Sequence, residues 1–315
     1  MKNKIWLVGS GEMSQDYIKV LKALDCDFDV IGRGSESAKK CEEVTGCSVI
    51  SGGLEKFLST NPALCSHAIV SVGVEALAST TLQLINYGVQ NVLVEKPAGL
   101  NHGEVEQIAR ISKEKSANVF VAYNRRFYAS VIKAQEIIEQ DGGVTSFNFE
   151  FTEWAHVIET IQKAEGVKEN WFLANSTHVV DLAFYLGGKP KEICTFTSGS
   201  LDWHPAASVF SGAGVSESGA LFSYQANWES AGRWSVEILT KNHRLILRPM
   251  EKLQIQKKGS VSVEFVECDY KLDEEFKPGL FLQTEKFINN VWECMCNIEY
   301  HLGMMAKYNK IANYI

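Results

Sequence analysis

The stretch that decides the fold is Ile5-Trp6-Leu7-Val8-Gly9-Ser10-Gly11-Glu12-Met13-Ser14. Its four leading apolar residues are too few for a helix and read as a strand buried on both faces. The strand runs straight into Gly9-Ser10-Gly11, and behind it Tyr17, Ile18, Leu21 and Leu24 recur at helical spacing. A strand, a glycine turn and a helix in this order open a doubly wound sheet. Glycines at the first and third positions allow a tight turn and bring the backbone close to a phosphate, which the N–H groups opening the helix then bind. Where the pattern has a third glycine, this chain has Ser14.

Reading outward, the alternation continues to residue 122. Short apolar runs at Phe28–Ile31, Val49–Ile50, Ala68–Val72, Val92–Val94 and Val119–Ala122 are separated by amphipathic stretches such as Ala76–Tyr87 and Glu104–Lys115. Gly88 stands where a helix end takes a left-handed residue. Residues 1–122 are therefore predicted to form a Rossmann domain, a doubly wound parallel sheet of six strands. The pattern changes after Tyr123. Helices are expected from Tyr128 to about Gln140, from Thr177 to Leu186 and over Phe281–Val291, with the tail open to reading as a continuation of the last. Val144–Trp154 alternates in part. Ile193–Thr197, Ala220–Trp228, Trp234–Thr240, Arg244–Leu247, Leu253–Gln256 and Val261–Val266 read as the strands of a meander. Residues 123–315 are thus expected to be an α+β domain with a mostly antiparallel, open sheet. An open face calls for cover, so a homodimer or homotetramer is expected.

Composition bounds the function. The chain has 315 residues, 45% hydrophobic and 22% charged, which suits a two-domain globular protein. A net charge of −7 argues against a broad nucleic-acid or anionic-membrane surface. It leaves room for a small anion held by a few local groups. No run of about 18 apolar residues is present, and the apolar run after the basic start is only Ile5–Val8, so neither a membrane span nor a secretory leader is expected. The eight cysteines include no C-x-x-C pair. No metal site is expected, and reduced thiols point to the cytoplasm.

Three further stretches carry chemistry. The second strand ends in Ile31-Gly32-Arg33-Gly34-Ser35, where an acidic residue would bond ribose hydroxyls and repel a 2′-phosphate. Arg33 offers a cationic fork and Ser35 a hydroxyl, which favours NADP, with NAD as the alternative. The fifth strand ends in Val94-Glu95-Lys96-Pro97, at the edge where such sheets bind ligands. Lys96 there is placed to donate a proton or hydrogen bond to a substrate oxygen, and Pro97 is a candidate cis residue. A surface ion pair before a loop explains the same Glu-Lys dipeptide without chemistry. In Asn175-Ser176-Thr177-His178-Val179-Val180-Asp181, His178 and Asp181 share a helix face, an acid/base imidazole with a carboxylate to orient it. A structural histidine beside a structural aspartate fits those residues too.

Taken together, the chain resembles the glucose–fructose oxidoreductase/inositol dehydrogenase (Gfo/Idh/MocA) family of NAD(P)-dependent oxidoreductases. The resemblance spans essentially the whole chain. It is carried by Gly9-Ser10-Gly11-Glu12-Met13, Ser71-Val72-Gly73, Glu95-Lys96-Pro97, Tyr123-Asn124-Arg125-Arg126-Phe127 and His178-Val179-Val180-Asp181-Leu182. It implies hydride transfer between a nicotinamide cofactor and a CH–OH group of a sugar, nucleotide sugar or related polyol. It makes Lys96 the central catalytic residue, paired with His178 in proton transfer. It sets Gly9, Gly11, Met13, Arg33, Ser71, Glu95 and Asn124 near the cofactor. Arg125, Trp154, His156, Trp171 and Asn175 are candidate substrate contacts. Two departures stand out. The aspartate that many members place four residues before the histidine is Ala174 here, with Ser176 for a glycine. The histidine common after the fourth strand is absent, Leu77 lying near that position. They keep two alternatives open: a reductase of the same fold acting on an imine, dihydrodiol or tetrapyrrole, and a non-enzymatic NAD(P)-binding sensor.

Overall fold

The structure, a computed structural model, describes residues 4–314. Residues 1–3 and 315, at the outer ends of the two expected domains, lie outside the described residues. The chain forms two compact units. One runs through Asn124 and takes in Glu275–Gly303; the other is Arg125–Glu274 with the chain from Met304.

The first unit opens with β1 (Ile5–Val8), α1 (Glu12–Ala23), β2 (Phe28–Gly32), α2 (Ser35–Thr45), β3 (Val49–Ser51) and α3 (Gly53–Ser59). It continues with β4 (His67–Val70), α4 (Leu77–Tyr87), β5 (Asn91–Glu95), α5 (His102–Lys115) and β6 (Asn118–Ala122). The six strands pair in parallel in the order β6-β5-β4-β1-β2-β3. This is the doubly wound dinucleotide-binding order, with its switch point between β4 and β1. β1 and β4 are buried at every position, as a central parallel strand covered by helices must be. Gly88 ends α4 with φ 115°, the left-handed cap that its place in the sequence requires.

The second unit carries α6 (Ala129–Gln140), β7 (Ser146–Glu150), α7 (Ala155–Ile158), α8 (Thr177–Gly187), β8 (Pro190–Ser198), β9 (Val209–Ser216) and β10 (Leu221–Asn227). After these come β11 (Ser235–Leu239), β12 (His243–Leu247), β13 (Gln254–Lys257), β14 (Val263–Phe265) and α9 (Lys271–Glu275). The sheet order is β14-β13-β12-β11-β7-β10-β9-β8. It is not the simple meander expected. β7 inserts between β10 and β11 and runs parallel to β10, so one pairing in an otherwise antiparallel sheet is parallel. Phe147, Phe149 and Phe151 point to one side and build an aromatic core. Phe147 stacks on Phe222 at 5.2 Å, Phe149 on Tyr224 at 5.3 Å, and Phe184 of α8 meets Phe149 edge-on at 5.5 Å. α8 comes this close because Gly187 has no side chain; a Cβ there would lie 2.6 Å from Phe147 Cγ.

The final segment differs most from expectation. α10 (Leu280–Ile288) stops at Asn289, and the tail does not continue it. A short strand, β15 (Cys296–Asn297), pairs antiparallel with β6, and a separate helix, α11 (Ile298–Ala312), follows. Residues 275–303, expected with the second domain, thus add a seventh strand and the helix α10 to the first unit. The reason is chemical: α10 buries Leu280 and Phe287, and Phe287 packs edge-on against His67 of β4 at 5.0 Å. Among the described residues, no helix is long and apolar enough to cross a membrane.

Candidate active site

In the first unit the parallel register aligns one edge of the sheet. Val8 is level with Ile31 and Val70, Val70 with Val94, and Glu95 with Ala122. The chain leaves these strands through Gly9, Arg33, Ser71, Lys96 and Asn124, which therefore lie along one edge of the sheet, at its carboxyl ends. Gly9 has φ 131°, donates its N–H to Ile31 O at 2.8 Å, and sits so close to Ser71 that a Cβ would lie 2.8 Å from the Ser71 carbonyl carbon. Ser14, in place of the third glycine, shares a 2.7 Å hydrogen bond between its Oγ and that of Ser71. The hydroxyl ties the start of α1 to the end of β4. Gly11 precedes α1 without a side-chain cap, so no side chain takes up the helix's first N–H groups. This bare, close-approach turn fits a pyrophosphate. Met13 is half-buried in the first turn of α1. Arg33 and Ser35 are exposed, Ser35 as the first residue of α2.

At the end of β5, Glu95 accepts a 2.8 Å hydrogen bond from the Tyr17 hydroxyl. Loss of hydration raises the Glu95 pKa, against the opposing pull of the Tyr17 hydrogen bond and of Lys96. Burial likewise holds Tyr17 well above the ordinary phenol value. Lys96 is half-buried, and the Lys96-Pro97 bond is cis. The buried Asn124 donates through Nδ2 to Pro278 O at 2.9 Å, so its amide is engaged within the protein.

The second unit holds the other predicted residues. His178 lies in the first turn of α8, directly behind a π-helical turn over Phe172–Ser176, a local widening frequent at functional sites. Asp181, expected to orient His178, is instead locked in a buried bidentate pair with Arg126, with Nε–Oδ2 2.8 Å and Nη2–Oδ1 2.5 Å. The carboxylate at this turn comes from Glu153, just beyond β7. Its Oε1 accepts from Asn175 Nδ2 at 3.0 Å and from Ser176 Oγ at 2.7 Å, and Arg233 stands 3.7 Å from its Oε2. Glu153 is only 2% exposed. The sequence reading missed it, although a signal existed: Phe147, Phe149, Phe151 and Glu153 share one parity, so a glutamate occupies an inward position.

Around His178 the Trp234 ring lies 6.2 Å away, with the Arg125 and Arg233 guanidinium groups over it at 4.9 and 4.7 Å. Burial lowers the Arg125 pKa from its ordinary value, and its Nε has no acceptor. Trp154 and His156 line a cavity of about 570 Å³ together with Glu159, Asp202, Trp203 and Glu229. Trp203 and Trp228 stack on its wall at 5.8 Å and 8°. The structure therefore joins Trp154 with His156, sets Arg125 and His178 on Trp234, and joins Asn175 to Glu153. Trp171 does not line the cavity; it is buried edge-on to Trp203 at 6.2 Å.

Residues 3–123 match the model of the oxidoreductase family with an NAD-binding Rossmann fold. No curated protein matches the chain. Among solved structures it is similar to the dehydrogenase MviM from Clostridium difficile, with 18% identity, TM-score 0.80 and all of both chains covered. It is also similar to UDP-N-acetylglucosamine 3-dehydrogenase GnnA from Acidithiobacillus ferrooxidans, with 14% identity, TM-score 0.76 and 99% and 97% of the two chains covered. A third is levoglucosan dehydrogenase in complex with NADH and L-sorbose, with 16% identity, TM-score 0.78 and 99% and 96% covered. At these identities the likenesses show the fold. Over residues 3–123, the chain is similar to the NAD-binding Rossmann domain of the Gfo/Idh/MocA oxidoreductase family.

Proposed function

We propose that this protein transfers hydride between a nicotinamide cofactor, NADP in preference to NAD, and a CH–OH group of a sugar, nucleotide sugar or related polyol. The observation that carries the reading is the aligned sheet edge, with the bare Gly9–Gly11 turn after β1 and Lys96 after β5, the two strands that flank β4. Structural neighbours named as dehydrogenases of levoglucosan and of UDP-N-acetylglucosamine lend support.

Gly9, Gly11, Met13 and Ser71 would hold the cofactor's pyrophosphate side, and Arg33 with Ser35 its ribose phosphate, with Glu95 and Asn124 close by. When bound, the nicotinamide supplies or accepts the hydride. Lys96 meets the substrate oxygen: in oxidation its neutral amine takes the hydroxyl proton as C–OH becomes C=O, and in reduction its ammonium stabilises the charge that develops on that oxygen and gives the proton back. The resemblance gives His178 a role in proton transfer as well, and its turn is held by Glu153 through Asn175 and Ser176. Arg125, Trp154, His156, Trp171 and Asn175 are the candidate substrate contacts. The cavity beside Trp154 and His156 has the volume of a small-ligand site. Its indole faces suit the apolar faces of a sugar ring, and the Arg233 guanidinium lies 4.8 Å from the Trp154 ring.

The exposed face of the second unit's sheet presents Phe196 and Leu221, 72% and 65% exposed, and we assign it to a homodimer or homotetramer contact. Free cysteines, with Cys194 exposed, suit a cytoplasmic setting. Ala174 favours one second reading, a sensor that binds the cofactor without turnover.

The test is a panel of polyols and nucleotide sugars with NADP and NAD, followed by reduced-nicotinamide absorbance. Turnover of a polyol with NADP is expected, and Arg33→Ala should weaken NADPH binding by about tenfold or more while sparing NADH. Cofactor binding without turnover of any panel member supports the sensor, and tight NADH binding with none of NADPH overturns the Arg33 assignment.

A further inference from the structure

The two residues that flank Lys96 in the chain are each linked to a buried side chain from Glu275–Gly303, a segment beyond the matched residues 3–123, Pro97 directly and Glu95 through Tyr17. On one side, Glu95 accepts from the Tyr17 hydroxyl at 2.8 Å, and that oxygen accepts in turn from Gln283 Nε2 of α10 at 3.4 Å. Tyr17 and Gln283 are both fully buried. On the other side, Pro97 O accepts from His301 Nε2 of α11 at 3.0 Å. A carbonyl oxygen only accepts, so Nε2 carries a proton; in the neutral ring Nδ1 is then an acceptor, and the Tyr123 hydroxyl stands 3.5 Å from it. His301 is fully buried.

For packing alone these residues are poor choices. Gln283 Oε1 is buried without an acceptor's partner, which a leucine of similar size would avoid. Both polar groups make sense as anchors of Glu95-Lys96-Pro97, His301 on the Pro97 carbonyl and Gln283, through Tyr17, on the Glu95 carboxylate. A shift of either neighbour swings the Cα–Cβ bond of Lys96, and a displacement of about 1 Å at a reacting group costs on the order of 100-fold in rate.

We propose that Glu275–Gly303 is a positioning element for Lys96, with His301 acting through Pro97 and Gln283 acting through Tyr17 and Glu95. The proposal rests on the reading of Lys96 as the catalytic residue for its consequence in turnover, but not for its structural content.

The experiment uses the full chain, reductively methylated with ¹³C-formaldehyde, the Lys96 signal being assigned by its loss in Lys96→Arg. His301→Leu removes the donor and keeps bulk; His301→Gln returns an amide donor near the same place; Gln283→Leu removes the link to Tyr17. Expected is a shift of about half a pH unit or more in the Lys96 titration for His301→Leu and Gln283→Leu, with the wild-type midpoint kept in His301→Gln. With the polyol that the wild type turns over, the two leucine variants should lose roughly 10- to 100-fold in kcat with little change in KM for the cofactor. Gln283→Leu should do so with its Tm unchanged or raised, the reverse of what a merely structural role gives. An unmoved Lys96 titration in folded Gln283→Leu and His301→Leu overturns the proposal, as does equal damage in His301→Leu and His301→Gln. If Lys96→Ala keeps wild-type turnover, the reading of the reaction falls. If it abolishes turnover while the leucine variants stay at wild-type kcat and pH profile, only the positioning role falls.

Discussion

A side chain at Gly9 has nowhere to go. Its φ of 131° is one that L-residues rarely adopt, and the Ser71 carbonyl fills the space where a Cβ would stand. Gly9→Ala should therefore destabilise the protein by about 1–3 kcal/mol from backbone strain alone. Denaturant unfolding checks this, and reduced nicotinamide should bind more weakly because the turn is displaced. Glu153 is the matching position in the second unit. Glu153→Ala would leave Asn175 Nδ2 and the buried Ser176 Oγ without their acceptor, at a cost of about 1–3 kcal/mol in the same assay. These two positions show what a sequence reveals at this scale. Gly9 is legible because the turn needs glycine for a local, backbone reason. Glu153 and His301 act through partners 22 to 23 and 204 residues away, and no local pattern marks them. Only the parity of Glu153 with three phenylalanines hints that it faces inward.

At the scale of elements, α8 is held by two features of different kinds. Gly187 lets it lie close on Phe147, and Asp181 pins it to Arg126 through two charge-assisted hydrogen bonds in a site where both residues are less than 5% exposed. Removing one partner strands the other charge, so Asp181→Ala should cost about 3–5 kcal/mol, read as a fall in Tm. The i, i+3 spacing to His178 correctly placed both residues on one helix, yet spacing cannot say which of several cations claims the carboxylate. The central strands of the first unit, such as β1 and β4, were legible because burial on both faces leaves continuous apolar runs. In the second unit β9, Val209-Phe210-Ser211-Gly212-Ala213-Gly214-Val215-Ser216, escaped notice. Its glycines at 212 and 214 admit the Tyr224 and Phe222 rings of β10, so the apolar contact belongs to the neighbouring strand. The inserted position of β7 is a matter of long-range pairing that alternation does not encode.

At the scale of the molecule, buried histidines set the response to acid. His67 in the first unit and His204 in the second both have pKa values lowered from 6.5, in each case chiefly by burial. A base whose folded pKa is depressed gives stability that is present above its unfolded pKa and lost as pH falls through the folded value. Tm should therefore fall as pH is taken below about 6.5, and His204→Gln should flatten part of that fall. Glu95 works in the other direction. Its raised pKa gives stability that is full below 4.5 and lost as pH rises through the folded value, so Glu95→Gln should gain stability near neutrality. The open sheet face bears on assembly: Phe196→Glu with Leu221→Glu should shift the protein to monomer in light scattering, and an unchanged mass would show that another face makes the contact. The acidic balance of −7 is compatible with the proposed cofactor phosphate site, which draws on backbone N–H groups and one exposed arginine. The central claim is that Lys96 carries the chemistry at the carboxyl edge of the first sheet. Its most direct test is Lys96→Ala, assayed for turnover of the wild type's polyol and for binding of reduced nicotinamide by fluorescence. The account predicts a loss of about 100-fold or more in kcat with cofactor affinity close to wild type; wild-type turnover in Lys96→Ala would contradict it.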